Sequence, residues 1–397
     1  MKSIHQQLET SLITASTRGD YERRTGAVNV PIYLSSTFHQ ESLDSFGPFD
    51  YSRSGNPTRE ALEKTIAELE GGTRGFAFAS GLAAISTSLM LLSAGDHIIM
   101  TEDVYGGTFR FVTEVLPRFG IEHSFVNLSN LDAVEQAIQS NTKLIYIETP
   151  SNPRVGITDI AGIVDIAKAN NCLTFLDNTF MTPLYQRPLE LGVDVVLHSA
   201  TKFLSGHSDI IAGLAVTKDE LLGSKLGFLQ NSFGAILGAQ DSYTLIQGIK
   251  TTSVRFEKST ETAISLVNYL ANHPLVEEVF YPGLSSHPGH EIHKKQAASS
   301  GAIFSFRLPG KAATKIFVEN LRIPVFAVSL GGVESILSHP ATMSHAAMPK
   351  EEREKRGITD GLLRFSVGLE HVDDLLADFE QSLEIVTTHY KESRSLI

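Results

Sequence analysis

Short runs of apolar and β-branched residues recur at 75–79, 97–101, 124–127, 143–148, 173–177, 194–198 and 211–216, with helically spaced stretches between them at 83–92, 131–138 and 160–169. Strand-length and helix-length patterns alternating in this way predict βαβ units and a large, mostly parallel seven-stranded sheet. Right-handed crossovers would place helices on both of its faces. After about residue 240 the pattern changes. A long helical stretch covers 254–272, strand candidates follow at 278–281, 302–307, 326–329 and 363–367, and a helix over 372–386 closes the chain. Few strands with flanking helices predict a smaller α+β C-terminal unit. Residues 1–50 show little periodicity, apart from one candidate strand near Ile32. The expected division is therefore an N-terminal arm over 1–58, an α/β domain over 59–245 and a C-terminal domain over 246–397. Gly71-Gly72 reads as a helix terminator.

Composition narrows the setting. Of 397 residues, 42% are hydrophobic and 20% charged, as in ordinary globular proteins, and the formal net charge of −12 speaks against nucleic acid or an anionic membrane as the main partner. The single cysteine, Cys172, cannot form an internal disulfide and lies in an apolar run, which fits an inert thiol in a reducing compartment. The start, MKSIHQQLET, has no apolar signal core, and no apolar stretch approaches the length of a membrane span, so a cytoplasmic protein is expected.

Three places carry candidate chemistry. Ser199-Ala200-Thr201-Lys202 follows an apolar strand, and ligands of open α/β sheets sit at carboxyl strand ends. A lysine desolvated there loses its proton more readily and suits Schiff-base chemistry; a solvated loop lysine is the bland alternative. Leu173-Thr174-Phe175-Leu176-Asp177 is a buried-type strand ending in a carboxylate, which needs a cation or hydrogen bonds. Such a partner could be a pyridinium nitrogen, or Asp177 could simply cap a turn with Asn178 and Thr179. Ala79-Ser80-Gly81-Leu82 joins a strand to a helix, where helix-start amides can face an anion or the serine can merely cap the helix. Neither GxGxxG nor GxxxxGK[ST] occurs, so dinucleotides and nucleoside triphosphates are disfavoured. The spacing of His287, His290 and His293 would suit a metal, but Pro288 and Gly289 interrupt it and a surface loop is expected. The charged run from Lys350 reads as a solvated helix, and His207 as the site of a structural hydrogen bond.

With these residues in view the chain resembles the cysteine/methionine-metabolism family of pyridoxal-phosphate enzymes, which have the aspartate-aminotransferase-like (type I) fold. The motifs stand as YSRSGNPTRE from Tyr51, ASGLAA from Ala79, DVYGGT from Asp103, ETPSNP from Glu148, FLDNTF from Phe175, HSATKFLSGHSD from His198, SLGGVES from Ser329 and LLRFSVGLEH from Leu362. The resemblance implies that the 59–245 domain binds pyridoxal 5'-phosphate, with Lys202 carrying it as a Schiff base and later moving protons. Asp177 would face the pyridinium nitrogen, Tyr105 would stack on the ring, and Asn152 would touch its phenolic oxygen. Ser80, Gly81, Leu82, Ser199 and Thr201 would hold the phosphate. Arg364 would bind the substrate carboxylate, assisted by Ser329. Tyr51 and Arg53, on the arm, would reach the phosphate of a neighbouring subunit, implying a homo-oligomer with shared sites, commonly a tetramer. No metal is implied.

Within the family, methionine γ-lyases place a cysteine where Gly107 stands, and cystathionine γ-lyases usually place Glu where Val328 stands. The stretch from Phe326 to Gly368 is similar to bacterial cystathionine β-lyases. Carbon–sulfur β-elimination is therefore expected ahead of γ-elimination, with a γ-synthase or sulfhydrylase as the rival transferase.

Overall fold

The computed structural model describes residues 6–17, 26–346 and 348–395. Parts of the expected arm, residues 1–5 and 18–25, lie outside the described residues.

The main sheet contains β1 (Arg74–Phe78), β2 (His97–Thr101), β3 (Glu122–Val126), β4 (Thr142–Glu148), β5 (Leu173–Asp177), β6 (Val195–Ser199) and β7 (Gly213–Thr217), in the order β1-β7-β6-β5-β4-β2-β3. Only β7 runs against its neighbours, β1 and β6. The connection from β6 to β7 lacks a helix, so the chain returns antiparallel along the same edge; parallel pairing would need a longer crossover. Alternate residues serve opposite faces. Phe76, Met100, Tyr146, Phe175 and Leu197 pack with the helices Gly81–Leu89 and Glu220–Phe233. Ile99, Ile147, Leu176, Val196 and Leu214 pack on the other face with Pro57–Glu70, Ile160–Ala169 and Ala239–Lys250. Cover on both faces explains why β2 and β7 are buried along their whole length.

A second sheet has β8 (Glu278–Phe280), β9 (Ile303–Arg307), β10 (Val325–Phe326), β11 (Ile336–Ser338) and β12 (Leu362–Ser366), in the order β10-β11-β12-β9-β8. The helices Thr252–Ala271, Gly310–Asn320 and Val372–Ser395 flank it, around a core of Phe304, Phe306, Phe317, Phe365 and Phe379. This is the α/β architecture the pattern predicts. The strand expected at 326–329 stops at Phe326, because Ser329 and Gly331 take left-handed φ values of 84° and 78°. The three-residue β11 was too short to show a period. Helix Pro57–Glu70 begins at an Asn56 cap with proline at its first turn and ends at Gly71, φ 69°.

The histidine-rich stretch differs from the solvated loop expected. Gly289 precedes the helix His290–Gln296, and His293 is buried, its Nε2 2.8 Å from the Ser299 carbonyl. His290 Nδ1 lies 2.8 Å from the Pro282 carbonyl, so these rings serve backbone groups. The charged run does form a helix, Lys350–Lys355, with no buried residue.

Candidate active site

The sequence-predicted residues converge at the carboxyl ends of β4, β5 and β6. Adjacent parallel strands in register set Glu148 beside Asp177 and Asp177 beside Leu197. Lys202 lies in the turn leaving β6, and its Nζ donates to Ser329 Oγ at 2.6 Å. Burial, then the positive charge of Arg364, lower the lysine to about 8. Arg364, on β12, is 3% exposed. Its Nη1 donates to Asn152 Oδ1 at 2.8 Å and its Nη2 to the Ser329 carbonyl at 2.6 Å, while Nε is buried without a partner. Ser329 thus joins amine to guanidinium, and its left-handed backbone aims hydroxyl and carbonyl at the two cations.

Asp177 is buried at the end of β5. One carboxylate oxygen accepts from the Thr179 amide at 3.0 Å and the Thr179 hydroxyl at 2.5 Å. The turn-capping role is therefore real for that oxygen. Burial pushes the carboxyl up, opposed first by the Thr179 bonds. Glu148 is raised further, by burial and then by the nearby Asp177 charge. Two buried carboxyls this close disfavour each other's charge, and a cation beside Asp177 would relieve it.

Ser80 caps the helix Gly81–Leu89, its Oγ accepting from the Ala83 amide at 3.0 Å. That helix start lies against the end of β6: a Cβ on Gly81 would come within 2.9 Å of the Ser199 backbone and side chain. The helix start Ser80–Leu82 is thereby set beside Ser199 through Gly81, and the Ser199 amide donates to Thr179 Oγ1 at 2.8 Å. Thr201 is tied to Ala212 by both amide and hydroxyl. Tyr105, 45% exposed, sits at the start of the helix Gly106–Arg110, and a Cβ on Gly107 would lie 2.5 Å from its ring.

Tyr51 and Arg53 are not brought to this cluster within the chain. Arg53 Nη1 donates to the Asn231 carbonyl at 3.2 Å and stacks 5.8 Å from the Tyr51 ring. Neither residue bonds Lys202, Ser329, Asn152 or Arg364 among the described residues. Exposed His207 bonds the Ser205 carbonyl at 2.7 Å, the structural bond expected of it.

Sequence reasoning passed over two groups. Glu148 stands within a quoted motif, yet it received no role. Beneath the sheet, fully buried His198 and Glu70 pair at 2.6 Å, and Asn178 donates to the same Glu70 oxygen at 3.1 Å. This knot fixes the ends of β5 and β6 from the face opposite Asp177. The visible signal was an acid, Glu70, immediately before the Gly71-Gly72 terminator.

Beside Ser329 and Thr201 opens a cavity of about 610 Å³, walled by Val325, Val328, Ile211, Asp209 and Glu334. A family model for the Cys/Met metabolism PLP-dependent enzymes matches residues 9–384. The chain belongs to this family. Its enzymes depend on pyridoxal phosphate, and so does this one. Cystathionine beta-lyase MetC of Bacillus subtilis (strain 168) is 65% identical over 384 residues, covering 97% of this chain and 98% of the relative. Cystathionine gamma-lyase of the same strain is 50% identical over 376 residues, covering 95% and 99%. Among solved structures, cystathionine gamma-lyase from Lactobacillus plantarum complexed with L-serine superposes with a TM-score of 0.93 at 48% identity, covering 96% of this chain and all of that one. No helix among the described residues is long and apolar enough to cross a membrane.

Proposed function

We propose that this family member is a carbon–sulfur lyase of the cystathionine β-lyase type, splitting L-cystathionine with water into homocysteine, pyruvate and ammonia. The observation that carries the reading is the chain Lys202–Ser329–Arg364–Asn152, which sets a readily deprotonated amine beside a guanidinium held by two acceptors. The residues fit the cofactor. Lys202 offers the amine, buried Asp177 favours a cationic ring nitrogen, and the Ser80–Leu82 helix start with Ser199 and Thr201 offers a phosphate cradle that only Gly81 leaves open.

When bound, the cofactor supplies an electron sink conjugated to the substrate amine. The chain's own residues do the rest. Arg364 fixes the substrate carboxylate, with its unpartnered Nε and the Nη groups available for a forked pair. This orients the Cα–H bond. Lys202 Nζ, uncharged above about pH 8, takes that proton and can return it to the leaving sulfur. Tyr105 would cover the ring of the bound cofactor and is a second candidate acid. Asp177 would face the ring nitrogen of the bound cofactor, whose positive charge would favour the ionised carboxylate.

β-Elimination is favoured over γ-elimination because Val328, 63% exposed on the cavity wall, offers no charge to a distal ammonium. The 65% identical relative bears the β-lyase name. Cystathionine γ-lyase is the second reading, supported by the 50% identical relative; a γ-synthase, sulfhydrylase or methionine γ-lyase ranks below. We further infer a cytoplasmic homo-oligomer, of tetrameric form, in which Tyr51 and Arg53 complete a neighbour's site, since within their own chain they stay away from it.

Product analysis decides the reaction. With L-cystathionine, pyruvate and homocysteine are expected; 2-oxobutyrate and cysteine as the main products would establish γ-elimination instead. Lys202→Ala should abolish turnover and borohydride-stable attachment of the cofactor. Undiminished turnover in that variant would end the assignment.

A further inference from the structure

Glu148 ends β4 at 5% exposure, and its two carboxylate oxygens face two different loops. Oε2 accepts the Tyr105 amide at 2.9 Å, and Oε1 accepts the Asn152 amide at 3.0 Å. Its own amide donates to Thr101 Oγ1 at 3.1 Å, which fixes the strand end from the neighbouring β2. Asn152 in turn accepts from Arg364, Arg364 donates to the Ser329 carbonyl, and Ser329 accepts from Lys202. A continuous line of hydrogen bonds therefore begins at one carboxylate and ends at the reactive amine, with a branch to the loop that presents Tyr105.

We propose that Glu148 is a positioning residue that ties the Tyr105 loop to the Asn152–Arg364 carboxylate clamp, so that the ring-face tyrosine and the substrate-binding guanidinium are set by one side chain. The inference rests on the reading of this cluster as the active site. The chemistry requires a carboxylate. Two backbone N–H donors converge on one side chain, and only Asp or Glu presents two acceptors. Glutamine is nearly isosteric but offers one oxygen and one NH₂, so one amide would face another donor and lose its partner. Aspartate keeps the charge but is one methylene shorter and cannot span both loops. A backbone N–H left facing another donor in a buried place loses its partner, and that loss should be measurable.

The experiment compares Glu148→Gln, Asn152→Ala and the double variant as purified holoenzymes, with wild type alongside. Glu148→Gln is expected to raise the KM for L-cystathionine by about 10-fold or more, with a smaller fall in kcat, since the clamp is displaced while the amine remains. Apoenzyme of the variant should also take up pyridoxal phosphate several-fold more weakly, because the Tyr105 loop is released. In the Asn152→Ala background, Glu148→Gln should add little further to KM, as expected of two residues acting on one clamp. An unchanged KM with unchanged cofactor affinity would overturn the proposal, and so would KM effects that multiply fully in the double variant. Thermal midpoints show whether each variant is folded; if the glutamine variant does not fold, Glu148→Asp carries the same expectation for KM. Failure of the underlying reading is seen separately: wild type itself would then show no turnover and no cofactor attached at Lys202.

Discussion

Lys202 gives up its proton more readily than an exposed lysine because its surroundings penalise its charged form. Burial comes first and the Arg364 charge second, and together they bring the amine to about 8, whereas an exposed lysine stays protonated to about 10.5. The sign follows directly. The neutral amine grows in as pH rises, so the rate at which apoenzyme combines with pyridoxal phosphate should climb and level off above about pH 8. Replacing Arg364 with Met removes the repelling cation and should move that inflection upward; an inflection already near that of a free lysine in wild type would contradict the assignment. For stability, the unfolded chain holds this proton to higher pH than the folded apoenzyme does, so this group's contribution improves between about pH 8 and 10.5. Asp177 was legible because it abruptly ends an apolar strand, and Lys202 because it stands in the polar turn that follows one. Glu148 ends a strand in the same way, but its role depends on Tyr105 and Asn152 being folded onto it, and no local pattern records that meeting.

At the scale of elements, the site depends on how closely a helix start approaches a strand end. The Gly81 backbone lies against Ser199, and a Cβ on Gly213 would lie 2.1 Å from the Ser80 carbonyl, so β6, β7 and the helix start leave no room for side chains between them. Gly81→Ala tests this. Alanine in a helix is worth about 0.5–1 kcal/mol over glycine, whereas forcing an extra carbon into a packed contact costs about 1–3 kcal/mol. The second effect should win. The variant should melt somewhat lower and bind pyridoxal phosphate about 10-fold more weakly, measured by fluorescence of apoenzyme titrated with cofactor. Cofactor affinity at the wild-type level would show that this junction does not shape the phosphate cradle. The central strands β4, β5 and β6 could be read in advance because each carries an apolar run buried on both faces. The helix Glu220–Phe233 and the strand β11 could not: the former leaves Leu221, Phe228 and Phe233 exposed, and the latter has three residues pinned by β12 rather than by their own pattern.

For the molecule as a whole, the open question is whose Arg53 serves which Lys202. Within one chain Arg53 is held at Asn231, and the arm around it leaves Leu34, Leu43 and Phe46 largely exposed. Buried Arg59 fixes this presentation, donating to the Ser52 carbonyl at 2.6 Å and the Arg53 carbonyl at 3.1 Å, so the loop is rigid yet points away from its own site. If sites are shared across a symmetric interface, each needs Lys202 from one protomer and Arg53 from the other. Mixing Lys202→Ala chains with Arg53→Ala chains then has a definite outcome. Neither parent has an intact site, but every mixed dimer contains one, in the protomer that keeps its lysine and receives its neighbour's arginine. Random reassociation of equal amounts makes about half the dimers mixed, so about a quarter of wild-type activity should reappear. If Arg53 served its own chain, each mixed dimer would hold one site without the lysine and one without the arginine, and mixing would restore nothing above the average of the two parents.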